Sequence, residues 1–335
     1  MNLTHRAYAD EAGDFTNISR FISKNYARIR THSTWYIGRF VDWRYGLWGS
    51  KLSAPDFWSS NAELWFDGFG RLAGFAISEN GDTCFSIITT EGYRFLFEEL
   101  LCWVRDHWVV RTPAMSIEIT SHQGAEMRLL ERHGFAREAS FFTSHIDLEG
   151  PLRQSAPLNG GYTFVAMQSP ADYRNQLILR NDAFGWVKDM PEDELEVRLR
   201  MLHHAHLSPI YHADTDLCVA APDGSFIAGC EAHIDVHNRE ADIERVCTHS
   251  QFRRRGFARA VILECLVRLQ AMGMKKAHIT GSSDEAIRLY GSFDPSSGTE
   301  HYIYKPPTSS ARRSGLRPDS NPDNSLHMPT ARQRT

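Results

Sequence analysis

The stretch ADIERVCTHSQFRRRGFARAVILECL, residues 241–266, decides how the chain reads. Its first eight residues, ADIERVCT, have the composition of a strand ending near Thr248. From Gly256 on, apolar residues recur at helical spacing. They predict one helix whose apolar side includes Ile262, Leu266, Leu269 and Met272, with Gly273 at its end. Between strand and helix stand Arg253, Arg254 and Arg255. The first turn of a helix has amides without intrahelical partners and carries partial positive charge. Small residues at Gly256 and Ala258 let that backbone come close to a pyrophosphate, and the arginines can add charge-assisted hydrogen bonds. A solvated basic helix start has the same composition, so the motif takes its weight from its surroundings.

After this helix, KKAHITG reads as a strand, DEAIRLYGSF as a helix and HYIYK as a last strand. Before it, YTFVAM is a strand, PADYRNQLILRNDAFG and PEDELEVRLRMLHHA are helices, and DLCVAAPDGSFIAGCEAHIDV is a hairpin around Pro222-Asp223-Gly224. The first half carries a comparable series. Residues 11–24 predict a helix, followed by a dense aromatic stretch at 34–49. ELWFD, RLAGFAIS and CFSIITT then read as strands. GYRFLFEELLCWVRDHW (92–108) reads as a long helix, AMSIEIT as a strand, AEMRLLERHGF as a short helix closed by Gly134, and SFFTSHIDL as a strand. Ala73-Gly74 and Ala228-Gly229 occupy equivalent points of the hairpins, and Leu129 and Leu289 equivalent points of the short helices. The second copy is longer by about the length of the arginine-glycine loop, which marks an internal repeat with the loop in one copy only. The Gly-, Pro- and Ser-rich residues 151–160 form the expected linker between units at 1–150 and 161–305, and 306–335 reads as a disordered tail.

Two stretches together resemble a known family. V-C-T-H-S-Q-F-R-R-R-G-F-A resembles motif A of the GNAT acetyltransferase superfamily, whose R/Q-x-x-G-x-G/A binds the pyrophosphate of acetyl-CoA. S-S-D-E-A-I-R-L-Y-G-S-F resembles its motif B, N-x-x-A-x-x-L-Y. The resemblance covers roughly residues 10–305 and implies an α/β (α+β) fold. It would hold two tandem GNAT-like domains, each a mixed, mostly antiparallel sheet flanked by helices. It further implies that the backbone of Arg253, Arg254, Arg255, Gly256, Phe257 and Ala258 cradles the pyrophosphate. Val246 and Thr248 would pair with the pantetheine arm, Ser283 would stand at the usual Asn position beside that arm, and Tyr290 would protonate the leaving thiolate. One departure is Phe293-Asp294-Pro295, where the family has a hydrophobe followed by Gly-Phe.

Amine acylation needs a base. Glu244 shares strand parity with Val246 and Thr248 and is the first candidate; Glu231 on the neighbouring strand is the second. For either, the plain alternative is a carboxylate paired with Arg245 or Arg239. In the first copy Leu130 stands at the tyrosine position and the strand reaches the helix through Glu91-Gly92 alone, so this copy is expected to be structural. Seven of the eight tryptophans lie there, and Trp35, Trp43 and Trp48 are expected in its core or at the domain interface; rings exposed on a cleft could instead stack on a substrate.

A net charge of −4 and the absence of flanking basic repeats argue against nucleic acid. No run of about 18 apolar residues is present, so no membrane span is expected. The six cysteines have no CxxC pair and read as free thiols of a cytoplasmic protein. The cluster His203-His204-Ala205-His206 reads as a favourable helix C-terminus rather than a metal site, and no metal is expected. The function expected is transfer of an acetyl group from acetyl-CoA to a small-molecule or peptide amine, by a monomer or homodimer. Two alternatives stay open: a CoA-binding pseudoenzyme that senses or scaffolds, and an enzyme using another acyl-CoA.

Overall fold

A computed structural model describes residues 2–307, apart from 30–33, 48–50, 52–53, 82, 111, 113–114, 153–157, 186–190 and 295–296. Trp48, Pro295 and the tail from 308 on lie outside the described residues. The first half runs β1 (Thr4–Ala7), α1 (Asp14–Ile29), α2 (Ile37–Tyr45), α3 (Phe57–Asn61), β2 (Ala62–Phe66), β3 (Leu72–Ser78) and β4 (Cys84–Thr89). It continues with α4 (Phe97–Val104), β5 (Ser116–Thr120), α5 (Gly124–Arg132) and β6 (Ala136–Asp147). The second half runs β7 (Thr163–Ala166), α6 (Pro170–Phe184), α7 (Glu192–Ala205), β8 (Asp216–Ala220), β9 (Phe226–Asp235) and β10 (Glu240–Thr248). Then come α8 (Phe257–Ala271), β11 (Lys276–Gly281), α9 (Asp284–Gly291) and β12 (Gly298–Lys305).

Local chemistry explains many of these limits. Ser169 and Asp172 form a reciprocal capping box at the start of α6, and Gly185, at φ 65°, ends it. The helix expected over 92–108 is interrupted. Tyr93 leaves helical geometry, α4 proper begins at Phe97, and the chain widens into a π-type turn over Arg105–Val109. β1 and α3 had no strong sequence signal; β1 is a four-residue polar edge strand paired with β2.

Among the described residues twelve strands form one sheet in the order β1-β2-β3-β4-β5-β12-β6-β11-β10-β9-β8-β7. All pairings are antiparallel except β4 with β5 and β10 with β11. The sheet is therefore mixed and mostly antiparallel, with the repeated α/β order expected of a tandem pair. The two halves exchange their last strands. β12 lies between β5 and β6 of the first half, and β6 in turn lies against β11 of the second.

On one face, α8 packs Val261, Ile262, Cys265, Leu266 and Leu269 against Ile227, Cys230, Ile243 and Ile279. Met272, expected on this side, is exposed, because the helix ends there and Gly273 turns the chain at φ 81°. α6 covers a second cluster that includes Leu179, Cys218 and Cys247. Trp35 and Trp43 are buried in the first half, their indole N–H groups donating to Ser86 Oγ at 3.0 Å and the Ser78 carbonyl at 2.9 Å. All six cysteines are free thiols. Among the described residues no helix is long and apolar enough to cross a membrane.

Candidate active site

The two central parallel strands of the second half separate. β10 and β11 are paired only from Glu240–Lys276 to Ile243–Ile279, yet β10 continues to Thr248 and β11 to Gly281. A β-bulge coincides with the separation: Glu244 opposes Glu231 on β9, whereas Cys247 opposes Gly229. One extra residue is thus inserted in β10. Arg245 in the bulge has φ 53°, a left-handed geometry costing a non-glycine residue about 1–2 kcal/mol. The insertion puts Glu244 out of step with Thr248, with which it was expected to share one side. That expectation is corrected: two-residue periodicity does not carry across a bulge.

Beyond Thr248 the loop is anchored to the end of α6. The Ser250 amide and hydroxyl donate to the Asp182 carboxylate at 2.5 and 2.9 Å, and Arg253 donates to the Ala183 carbonyl at 2.8 Å. Arg254, at φ 62°, and Gly256, at φ 87°, curl the chain into α8. Gly256 is the N-cap, no side chain caps the helix, and the amides of 254–258 find no acceptor among the described residues. Arg253 through Gly256 are exposed, so this end of the helix faces solvent, while Phe257 is buried.

The three arginines have separate tasks. Arg253 ties the loop down. Arg255 lies over the rings of Phe252, Phe257 and Tyr162 and donates to the Tyr162 hydroxyl at 3.2 Å. Arg254 has no hydrogen bond or ion pair with a described residue, which leaves its guanidinium available to an anion.

Ser283 is the N-cap of α9, its hydroxyl accepting from the Ala286 amide at 3.2 Å. Removing the cap with Ser283→Ala is expected to destabilise the protein by about 1 kcal/mol, read as a lowered denaturant midpoint. Tyr290, on the last turn of α9, is 8 % exposed and packs in the core cluster under α8. Gly281 makes room for it, since a Cβ there would sit 3.0 Å from the Tyr290 ring and 3.2 Å from Ala286. Burial raises the Tyr290 hydroxyl's pKa above its ordinary value, and the Glu244 carboxylate raises it further. The fold therefore brings Tyr290 and Glu244 within electrostatic reach. Arg259 of α8 donates to Ser292 Oγ at 2.5 Å and joins the two helices that flank the opening.

Glu231 is otherwise engaged. Its carboxylate receives Arg245 at 2.7 Å, Arg180 at 3.1 Å and His233 at 3.2 Å. Burial would raise its pKa, but Arg245, His233 and Arg180 hold it well below the carboxylate range. The paired reading of Glu231 is the one the structure supports.

Beside it, His206, Asp216 and Glu231 offer ligand atoms within 4.8 Å of one another. Arg180 lies between the two carboxylates, 3.4 Å from Asp216, and supplies the positive charge a cation would bring. His206 does not act as a charged helix terminus. Burial lowers its pKa to about 4, so the imidazole is neutral. This corrects the reading of His206; His203 is exposed and His204 Nδ1 lies 2.7 Å from the Tyr45 carbonyl of the first half.

The first half lacks the corresponding seat. Leu130 is buried in its core where the second half has Tyr290. A turn over Glu91–Leu96 leads from β4 to α4, with no R-x-x-G-x-A.

Residues 179–294 match the model of the acetyltransferase (GNAT) family. Residues 179–294 therefore carry a GNAT-family domain. Solved structures of GNAT proteins, one of them a tandem GNAT protein, share the fold across nearly the whole chain. A GCN5-related N-acetyltransferase from Sphaerobacter thermophilus is 18 % identical with a TM-score of 0.61, over 90 % of this chain and 94 % of that one. A tandem GNAT protein from the clavulanic acid biosynthesis pathway is 12 % identical with a TM-score of 0.62, over 92 % and 100 %. The Saccharomyces cerevisiae N-myristoyltransferase, solved with bound myristoyl-CoA, is 9 % identical with a TM-score of 0.53, over 90 % and 79 %. No curated protein is a significant match.

Proposed function

We propose that this GNAT protein transfers an acetyl group from acetyl-CoA to a primary amine, with the second half as the catalytic unit. The observation that carries the reading is that amides at 254–258 without an acceptor among the described residues follow directly on the end of β10, where its pairing with β11 has stopped at Ile243–Ile279; Tyr290 stands on α9, the helix packed against β11. In this reading the amides and Arg254 hold the pyrophosphate, and the unpaired edge of β10 at Val246 and Thr248 holds the pantetheine arm. Ser283 Oγ already accepts from Ala286, so it can offer its own O–H to that arm.

The chemistry is direct. The amine nitrogen attacks the thioester carbonyl, the C–N bond forms and the C–S bond breaks. Glu244 takes a proton from the attacking nitrogen, directly or through water, and Tyr290 gives one to the departing sulfur. A phenol held above its ordinary pKa stays protonated until the thiolate, with a reference pKa of about 8.5, develops beside it. Holding the reactants in register supplies much of the acceleration.

The test is free-thiol release from acetyl-CoA against a panel of small amines and peptide N-termini. Tyr290→Phe is expected to lower kcat by roughly 100-fold while CoA affinity stays within about twofold. Tight CoA binding with no acetylated amine would favour the pseudoenzyme; turnover only with a longer acyl-CoA would change the donor.

A further inference from the structure

The bulge that opens the wedge is held from the other half of the molecule. Arg245, 11 % exposed, extends its guanidinium between two carboxylates on different units. Nη1 lies 2.7 Å from Glu231 on β9, and Nη2 donates to Asp42 Oδ1 on α2 of the first half. The helix carrying Asp42 is tightly seated on the second half: a Cβ at Gly38 would lie 3.0 Å from both Asp242 and His233. Arg245 is the left-handed residue of the bulge, adjacent to Glu244 and at the place where β10 leaves β11. A non-glycine residue stays in that geometry only where surrounding contacts over-determine it, and here the fixed side chain supplies them.

We infer that Asp42 is a positioning residue for the acyl-transfer site: by clamping Arg245 it holds the bulge, and with it the direction of Glu244 and the width of the opening between β10 and β11. The first half thus serves the reaction through α2. The inference rests on the proposed acetyltransferase reading for its catalytic consequence, but the clamp itself is a property of the fold.

The experiment compares the full chain with Asp42→Asn and Asp42→Glu. Asp42→Asn is expected to lower kcat about tenfold, with the KM for acetyl-CoA changed less than about threefold, and Asp42→Glu to recover most of the loss. Amide hydrogen exchange, which needs no turnover, reads the clamp directly. Exchange at 244–248 should quicken by about tenfold in Asp42→Asn while α8 keeps its protection. Unchanged exchange at 244–248 would overturn the clamp whatever the kinetics. Faster exchange with unchanged kcat, in a protein whose wild type turns over, would overturn the positioning role. A wild-type chain that binds CoA but acetylates no amine would sink the proposed function, and the exchange experiment would still decide the clamp.

Discussion

A chain ended at Ser297 is expected to lose the native fold of both halves, not only of the second. Eight residues of β12, Gly298 to Lys305, pair with β6, and four of them, His301 to Tyr304, also pair with β5. The strand buries Thr299, His301 and Tyr304. About a dozen ladder hydrogen bonds at ~0.5–1.5 kcal/mol each come to on the order of 10 kcal/mol. That equals the whole stability of a typical domain, roughly 5–15 kcal/mol. Deletion would also leave two unpaired edges, on β5 and β6, inside what had been a continuous sheet, a template for aggregation. A chain ended at Pro307 keeps every paired residue and serves as control. The measurement is soluble yield and cooperative thermal unfolding followed by circular dichroism. A shortened chain that still melts cooperatively within about 5 °C of the control would show that the exchanged strand is dispensable.

That exchange could not be read from the residues. SFFTSHIDL and HYIYK each signal a strand, but nothing in either says which strand it joins; the partner is chosen by the closing of the whole sheet. The phosphate-binding candidate was legible for the opposite reason. Unpaired amides, a left-handed glycine and a helix start are all local, and Gly256 announces them within a few residues. The limit of local reading shows at Arg245. An arginine gives no hint of positive φ, so the sequence does not show the bulge that puts Glu244 out of step with Thr248. Asp42, Asp182 and Arg180 were missed because each contributes through a contact 36 or more positions away in the chain. Met272 and His206 depart from the sequence pattern because a helix's spacing does not encode where the helix ends or what buries its last turn.

Gly256→Glu is expected to remove CoA binding while the protein stays folded, with affinity falling by more than about 100-fold, roughly 2.7 kcal/mol. Two contributions separate cleanly. Gly256 has φ 87°, so any side chain there meets left-handed strain of about 1–2 kcal/mol. No atom lies within 4 Å of a Cβ built at this position, so the strain is not compounded by a clash and the global fold survives it. A carboxylate at the N-cap would project into the space in front of the amides at 254–258, where it would accept their hydrogen bonds itself and repel a diphosphate. It would satisfy the helix start with the wrong anion. Gly256→Ala carries the same backbone strain without the charge, and its affinity is expected to fall by less than about tenfold. Calorimetric titration of CoA into the three proteins, with melting curves to confirm that each is folded, distinguishes them. Equal affinity in wild type and Gly256→Glu would mean that the diphosphate does not sit at these amides, and the proposed route along β10 to Tyr290 would lose its starting point.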